Sequence, residues 1–371
     1  MIYIITFIIS IVFFMLAEKV KYKNKKVFIF LTFIGILFPC LLSALRDTAI
    51  GTDVKVYVEK WFQQARYSDG FFDFCSEVNC TEYLYLVLTY ICAKISKEIY
   101  VLFFMIQFLN IIPLVITFNK LENKINVPFA MLLYYLFFYN MSLNLARQSI
   151  AISILILGTA YLLCDNKKNF LILLIIAIGF HSSAILGVFV YIIYITSNKK
   201  NYFIYNLLYI IAIVLILLNF SNFVNFMVNV GIISAKFSNY TTKYLREQIS
   251  FDFFHNAFFI VILLVILLGI NKKQNKFLYS LYIVGLGIFE SGMISSFTQR
   301  ASYYFIFPAI FLLLPQLCLI KNKKLTKDKL LHIIIILSIF NTYWYYWIAH
   351  IKYHDTYPYK FNEVISKWKK N

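Results

Sequence analysis

Long apolar segments without charged residues recur along the whole chain and constrain its fold more than any other feature. A helix that crosses the hydrocarbon core of a membrane needs about 20 consecutive, predominantly apolar residues. The clearest runs are residues 27–45, 99–118, 301–320 and 330–349, with shorter runs between them. Because 61% of the 371 residues are hydrophobic and only 14% are charged, these runs predict an all-α polytopic membrane protein.

The close spacing of the apolar runs also predicts how the chain is divided into domains. Helices follow one another closely, so we predict a single integral membrane domain over residues 1–371 and no soluble second domain. The first run, residues 2–17, has no basic segment before it and no small-residue cleavage site after it. It is therefore predicted to be a retained helix rather than a signal peptide.

Clusters of lysine predict the orientation, because short cytoplasmic loops of membrane proteins are enriched in Lys and Arg. Six lysine-rich segments are assigned to the inside: residues 18–26, 119–124, 165–169, 197–201, 271–276 and 321–329. The large loops 46–98 and 220–256 and the C-terminal tail 350–371 then lie outside.

One short segment decides the number of spans. Residues 83–93 form an apolar stretch of 11 residues before Lys94, which is too short to cross a membrane easily. We predict a half-helix that dips in from the outer face, which leaves about 12 transmembrane helices. If this segment crossed instead, the later lysine-rich loops, including 321–329, would lie outside.

The net charge of +18 does not indicate nucleic acid as a partner. Lysines in inner loops that face anionic lipid contribute about 1 kcal/mol each, so membrane lipid is the partner that this charge predicts. The six cysteines show no metal-ligand spacing. Cys75 and Cys80, both in the loop 46–98, form either a small disulfide or a pair of ordinary thiols.

A helical hairpin at the centre of the chain carries the first candidate site. An apolar helix over 148–163, a lysine-containing turn and a second apolar run over 170–180 place Arg147 and His181 at the same outer end. At about 1.5 Å per residue the two helices measure about 24 Å and about 16 Å, so His181 is expected to lie deeper than Arg147. Polar groups buried in this way in a membrane protein predict a functional site.

Arginine is rare in this chain and is confined to one predicted face. The predicted topology places all five arginines outside: Arg46, Arg66, Arg147, Arg246 and Arg300. A guanidinium is a planar fork that pairs bidentately with phosphate or carboxylate, whereas lysine suffices to anchor a loop. Arg46, Arg147 and Arg300 stand directly at helix ends, which favours a site for an anionic ligand over ordinary packing.

Polar residues of the loop 46–98 offer further candidates. The tripeptide Gly51-Thr52-Asp53 predicts a turn that leads into an interfacial helix with Tyr57 on its apolar side. Glu82 opens the half-helix. A carboxylate at that position either interacts with the helix N-terminus or accepts hydrogen bonds from sugar hydroxyls.

Two later segments of the outer face add to this set. Arg300 stands at the mouth of a span, with Tyr304 one turn deeper. A mostly amphipathic stretch within 220–256 is a candidate lid over a cleft.

An ordered set of motifs resembles a known family. The residues that carry the resemblance are Arg46 with Gly51-Thr52-Asp53 and Tyr57, Glu82 with Leu84 and Tyr85, Arg147-Gln148 with Ala151, Phe180-His181-Ser182-Ser183-Ala184, and Arg300 with Tyr303-Tyr304-Phe305. With this set, which covers nearly the whole chain, the sequence resembles the EpsG family of exopolysaccharide proteins, which is allied to the Wzy-type polymerases of bacterial O antigen and capsule. One departure is Tyr83, where family members often have proline.

The resemblance implies a multi-pass protein of the bacterial cytoplasmic membrane, with a GT-C-like glycosyltransferase architecture and an active site that faces outside. The implied polymerase moves a growing glycan from undecaprenyl diphosphate onto the next lipid-linked repeat unit. No D-x-D, H-E-x-x-H, C-x-x-C or nucleotide-binding motif occurs, so a metal-independent enzyme without a cofactor is expected. A chain-length regulator and a flippase of the same pathway are implied as partners.

The residues can be given roles in this chemistry. The catalytic candidates are His181, Arg147 and Asp53, with His181 as the base and Asp53 either as a competing base or as the residue that orients the acceptor. The guanidinium groups would stabilise the charge that develops on the leaving diphosphate. The predicted substrate-binding residues are Arg46, Thr52, Glu82, Gln148, Arg300 and Tyr304.

Two other classes of function stay open. The first is another enzyme that acts on lipid-linked glycans, such as a ligase or a single-sugar transferase. The second is a polysaccharide flippase or transporter, in which buried charges would line a path between the two faces. The charged residues other than lysine lean toward the outer face, which favours an enzyme on that side.

Overall fold

The computed structural model describes residues 1–218, 220–229, 253–269, 275–290, 296–318 and 326–362. Within these residues the regular structure is helical, apart from an isolated antiparallel bridge between Arg46 and Phe361. Among the described residues, six helices are long and apolar enough to cross a membrane: Ile2–Val20, Lys25–Ala44, Tyr100–Lys120, Ala146–Leu163, Gln299–Leu317 and Lys327–His350. The prediction of an all-α polytopic membrane protein is confirmed at this level, and the total of about 12 spans stays a prediction.

The helices are numbered in chain order. The earlier ones are α1 (Ile2–Val20), α2 (Lys25–Ala44), α3 (Glu59–Tyr67), α4 (Phe71–Val78), α5 (Tyr83–Ile95), α6 (Tyr100–Lys120), α7 (Val127–Phe137), α8 (Tyr139–Asn144), α9 (Ala146–Leu163) and α10 (Lys167–Phe180). The later ones are α11 (Gly187–Ser197), α12 (Tyr202–Leu218), α13 (Phe220–Asn229), α14 (Phe253–Gly269), α15 (Lys276–Glu290), α16 (Ser296–Leu317) and α17 (Lys327–Tyr343).

The chain divides into two compact units. One consists of Met1–Ile185 with Leu314–Asn371, and the other of Leu186–Leu313. In the first unit α1 packs on α2, α2 on α6, α6 on α9, and α9 on α10. The candidate residues from Arg46 to His181 belong to this unit, whereas Arg300 and Tyr304 belong to the second.

Hydrogen bonds between helices connect several buried polar side chains inside the first unit. Gln107 of α6 donates from Nε2 to the hydroxyl of Tyr134 at 2.6 Å and accepts a bond from Ser142 at 3.1 Å. Ser153 of α9 donates to Oδ1 of Asn110 at 3.3 Å. These bonds connect α6 to α7, α8 and α9 and hold in place the helices around the central hairpin.

The central hairpin has both predicted helices, and each is slightly longer than expected. The 18 residues of α9 span about 27 Å, and the 14 residues of α10 span about 21 Å. The backbone breaks at Leu145, where φ is −81° and ψ is 55°, so α8 ends just before α9 begins. At the other end His181 is extended, which terminates α10. The relative depth of Arg147 and His181 in a membrane stays a prediction.

The short helix α5 and the C-terminal tail complete the surroundings of the hairpin. The 13 residues of α5 span about 20 Å. The hydrocarbon core of a membrane is about 30 Å thick, so α5 is shorter than the core. The tail packs against the end of α2, since the backbone N–H of Asp47 donates to the carbonyl of Lys360 at 2.9 Å and the backbone N–H of Asn362 donates to the carbonyl of Leu45 at 3.0 Å. The tail and the start of the loop 46–98 therefore share one end of the unit, as the predicted topology requires. Which membrane face this end occupies stays a prediction.

Candidate functional site

The carboxylate of Glu82 contacts both Arg147 and His181 at the open end of the central hairpin. Oε1 of Glu82 lies 2.5 Å from Nδ1 of His181, and Oε2 accepts a hydrogen bond from Nη1 of Arg147. The backbone N–H of Ser182 also donates to Oε1, at 3.2 Å. The side chain of Glu82 is 4% exposed, whereas those of Arg147 and His181 are 22% and 23% exposed. The cluster therefore has a buried anionic centre and two basic groups that reach the surface.

Three helix ends bring these side chains together. Glu82 caps the start of α5, Arg147 lies in the first turn of α9, and His181 is the residue that ends α10. Gly179 permits α10 to approach α5, because a Cβ at this position would lie 2.6 Å from Cδ1 and 2.7 Å from Cγ of Leu84. The contact between Glu82 and His181 thus depends on a glycine two residues before the histidine.

Two aromatic rings pack against the guanidinium of Arg147. Its Cζ lies 4.7 Å from the ring centroid of Trp61 and 5.2 Å from that of Tyr57. Trp61 is buried on α3, and Tyr57, one turn earlier, is 37% exposed. These cation–π contacts and the ion pair with Glu82 hold the guanidinium in place. The ion pair uses Nη1, and a guanidinium has five N–H donors, so donors remain for a second anion.

The charge of Glu82 follows from its neighbours. Burial alone would raise the pKa of this carboxyl, but the hydrogen bond and charge of His181 and the charge of Arg147 lower the pKa from 4.5 to about 2. Glu82 precedes α5 and lies outside the helices long enough to cross a membrane. At neutral pH it is a carboxylate that only accepts hydrogen bonds, so Nδ1 of His181 carries a proton. When the imidazole is neutral, Nε2 then has the free lone pair.

Asn144 fixes the predicted turn at residues 51–53 beside this cluster. Its Oδ1 accepts hydrogen bonds from the backbone N–H of Asp53 at 2.7 Å and from the hydroxyl of Thr52 at 3.1 Å. Its Nδ2 donates to Nδ1 of His354 in the tail at 2.9 Å. Because Asn144 precedes Arg147 by three residues, the turn with Asp53 is attached to the segment that carries the guanidinium. The role of Asp53 as a competing base stays a prediction.

Arg46 makes structural contacts inside the protein. Its Nη1 donates to the carbonyl of Leu143 at 2.7 Å, and its Cζ lies 4.2 Å from the ring centroid of Phe103. The residue is 1% exposed, and burial lowers the pKa of its guanidinium to about 10. These contacts tie the end of α2 to α6 and α8. A contact between Arg46 and a diphosphate stays a prediction.

The remaining candidates are placed as follows. Gln148 is buried on α9 directly after Arg147. In the second unit Tyr304 is buried and Arg300 is exposed. Their contacts with substrate stay predictions. Arg246 and most of the candidate lid, residues 230–252, lie outside the described residues.

The cysteines are free thiols. Cys75 and Cys80 are both unbonded to another cysteine, which favours the thiol alternative. In the part of the chain that the structure describes, no three side chains of His, Cys, Asp and Glu are grouped to hold a metal ion.

Three features of this site escaped the sequence analysis. Tyr57 was predicted to lie on the apolar side of an interfacial helix, yet Tyr57 and the nearby Trp61 both contact Arg147. The anchoring role of Asn144 was also missed. Ser182, which bonds to Glu82, could have been found, since it follows His181 within the motif that carries the family resemblance.

Comparison with known proteins agrees with that resemblance. A family model described as the EpsG family matches residues 29–361, which include every candidate site residue. No curated protein and no solved structure matches the chain.

Proposed function

The chain belongs to the EpsG family, and from this membership and its apolar helices we propose that it is a polysaccharide polymerase of the bacterial cytoplasmic membrane. It would transfer a growing glycan from undecaprenyl diphosphate to the next lipid-linked repeat unit on the outer side. We further propose about 12 spans in a GT-C-like arrangement. The observation that carries the proposal is the joining of His181 and Arg147 through Glu82.

His181 is the proposed base. Its Nδ1 is engaged by the carboxylate of Glu82, which leaves Nε2 for the acceptor hydroxyl. As Nε2 takes the hydroxyl proton, the oxygen attacks the anomeric carbon of the donor glycan. The bond from that carbon to the diphosphate oxygen breaks, and its electron pair leaves with the undecaprenyl diphosphate. Asp53 stays the second candidate base.

Arg147 is the proposed partner of the leaving diphosphate. Its guanidinium is 22% exposed and keeps N–H donors beyond the one that Glu82 accepts. Because Trp61 and Tyr57 hold it on one side, little reorganisation is needed when the leaving group gains charge.

The charges of the cluster suit this reaction. When the imidazole is neutral, the negative charge of Glu82 and the positive charge of Arg147 cancel, so the cluster has no net charge before the transfer. Once His181 has taken the proton, the cluster carries one positive charge at the moment when negative charge develops on the diphosphate. Opposite charges that appear together in this way stabilise the transition state more than the ground state.

Chain-length profiling of surface glycan in a strain that lacks this protein tests the proposal. A polymerase defect leaves single repeat units on the lipid carrier and at the surface, and long polymer returns when the gene is restored. Loss of all surface glycan with repeat units trapped inside would instead identify a flippase and overturn the proposal.

A further inference from the structure

The hydrogen-bonding capacity of Glu82 is used by the protein itself. An ionised carboxylate has about four lone-pair sites. Oε1 accepts from His181 and from the backbone N–H of Ser182, and Oε2 accepts from Arg147 and lies 3.8 Å from the thiol of Cys80. With 4% of the side chain exposed, the carboxylate has neither a free lone pair nor open surface for a sugar hydroxyl.

The groups that Glu82 binds come from separate parts of the chain. His181 ends α10, and Arg147 lies in the first turn of α9, the other helix of the same hairpin. Glu82 belongs to neither helix, since it precedes α5. A change at Glu82 therefore alters the relative placement of the imidazole and the guanidinium.

We propose that Glu82 is a positioning residue that holds His181 and Arg147 in one arrangement and does not touch the substrate. This inference rests on the proposed polymerase function. It replaces the prediction that Glu82 accepts hydrogen bonds from sugar hydroxyls. Glu82 sets which imidazole nitrogen carries the proton and where the guanidinium lies beside it.

The substitution Glu82→Gln distinguishes a positioning role of Glu82 from a role in binding sugar hydroxyls. In the wild type His181 binds Oε1 and Arg147 binds Oε2, whereas a glutamine amide has an accepting oxygen at one position and a donating NH₂ group at the other. Either Arg147 then faces the NH₂ group and moves away, or Nδ1 of His181 faces it and becomes the acceptor, which places the imidazole proton on Nε2. We expect the turnover rate to fall on the order of 100-fold because the base is misplaced. The KM for the lipid-linked acceptor should stay within about twofold, because no substrate contact is lost.

The experiment measures polymer formation by the full-length protein in membranes supplied with lipid-linked repeat units. Glu82→Asp keeps the charge but withdraws the carboxylate by one methylene, so its turnover should lie between those of wild type and Glu82→Gln. The matched control is Glu122→Gln, which removes the carboxylate of a different ion pair, that with Lys21. This control should keep wild-type turnover. Protein level and thermal melting are recorded for every variant.

The outcomes distinguish this inference from the proposed function. A wild-type protein that forms no polymer overturns both. An active wild type with a raised acceptor KM and unchanged turnover in Glu82→Gln or Glu82→Asp overturns the positioning role alone, because a sugar-binding carboxylate behaves in that way. A fall in turnover at constant KM in either variant, with Glu122→Gln unaffected, supports it.

Discussion

Nδ1 of His181 lies 2.5 Å from Oε1 of Glu82, although 99 residues separate them in the chain. The contact joins the end of α10 to the start of α5 and orients the imidazole through a buried carboxylate. Since the same carboxylate binds Arg147, the proton acceptor and the guanidinium are parts of one charged cluster. The predictions below follow from this arrangement.

The substitution His181→Ala should abolish polymerisation without changing the amount of protein in the membrane. Removal of a general base lowers a rate by about 10²- to 10⁴-fold, and the partly exposed imidazole is not needed to fill a core. Glycan chain length on gels, together with immunoblots of membranes, measures both effects. His332→Ala serves as the control, because that histidine bonds to the carbonyl of Asp328 on its own helix. If His181→Ala kept most of the wild-type activity, the base assignment would move to Asp53.

The substitution Arg147→Lys should remove long polymer while single repeat units still reach the surface. Lysine keeps the charge but loses the planar fork, so it cannot offer a diphosphate the bidentate contact of a guanidinium while it binds Glu82. We expect polymer formation to fall on the order of 100-fold. Arg66→Lys is the matched control, because Arg66 binds the carbonyl of Lys97 at the protein surface. Normal chain length in Arg147→Lys would exclude a guanidinium clamp on the diphosphate.

The contribution of Glu82 to stability should depend on pH. The pKa of its carboxyl is lowered from 4.5 to about 2 by its interactions with His181 and Arg147, which outweigh the effect of burial. A lowered pKa in the folded state means that the stabilisation is complete above about pH 4.5 and disappears as the pH falls toward 2. Melting temperatures of wild type and Glu82→Gln in detergent should therefore differ most near neutral pH and converge in acid. A difference that stayed constant from pH 7 to pH 3 would contradict this prediction.

Local features of the fold were predictable because they depend on short stretches of sequence. The apolar run 99–118 corresponds to α6 (Tyr100–Lys120), and the run 27–45 to α2 (Lys25–Ala44). The turn at Gly51 was predicted from its composition, and Gly51 has the positive φ of 96° that such a turn uses. Apolar runs and turn-forming residues predict helices and turns from a few neighbouring residues of the sequence.

The contacts of the candidate site were not predictable in the same way. Glu82 had two interpretations, and neither included a bond to His181, because that bond requires α5 to pack against α10. Arg46 and Arg147 both lie directly at helix ends, so their positions in the sequence did not distinguish them. Arg46 is nevertheless buried against Leu143 and Phe103, whereas Arg147 keeps an exposed edge. Packing between distant segments decides which arginine reaches a surface.

The substitution Gly179→Ala should lower polymer formation although it touches no substrate. A Cβ at this position would lie 2.6 Å from Cδ1 of Leu84, so either the Leu84 side chain shifts or α10 and the start of α5 move apart. We expect the helices to separate, which lengthens the contact between Glu82 and His181 and misplaces the base, with a loss of about 10-fold or more. Gly287→Ala is the control, because the nearest atom to its Cβ is Cδ1 of Ile213 at 3.8 Å, an ordinary contact. Wild-type chain length in Gly179→Ala at equal protein level would contradict this prediction, whereas a loss of long polymer in Gly179→Ala but not in Gly287→Ala would support it.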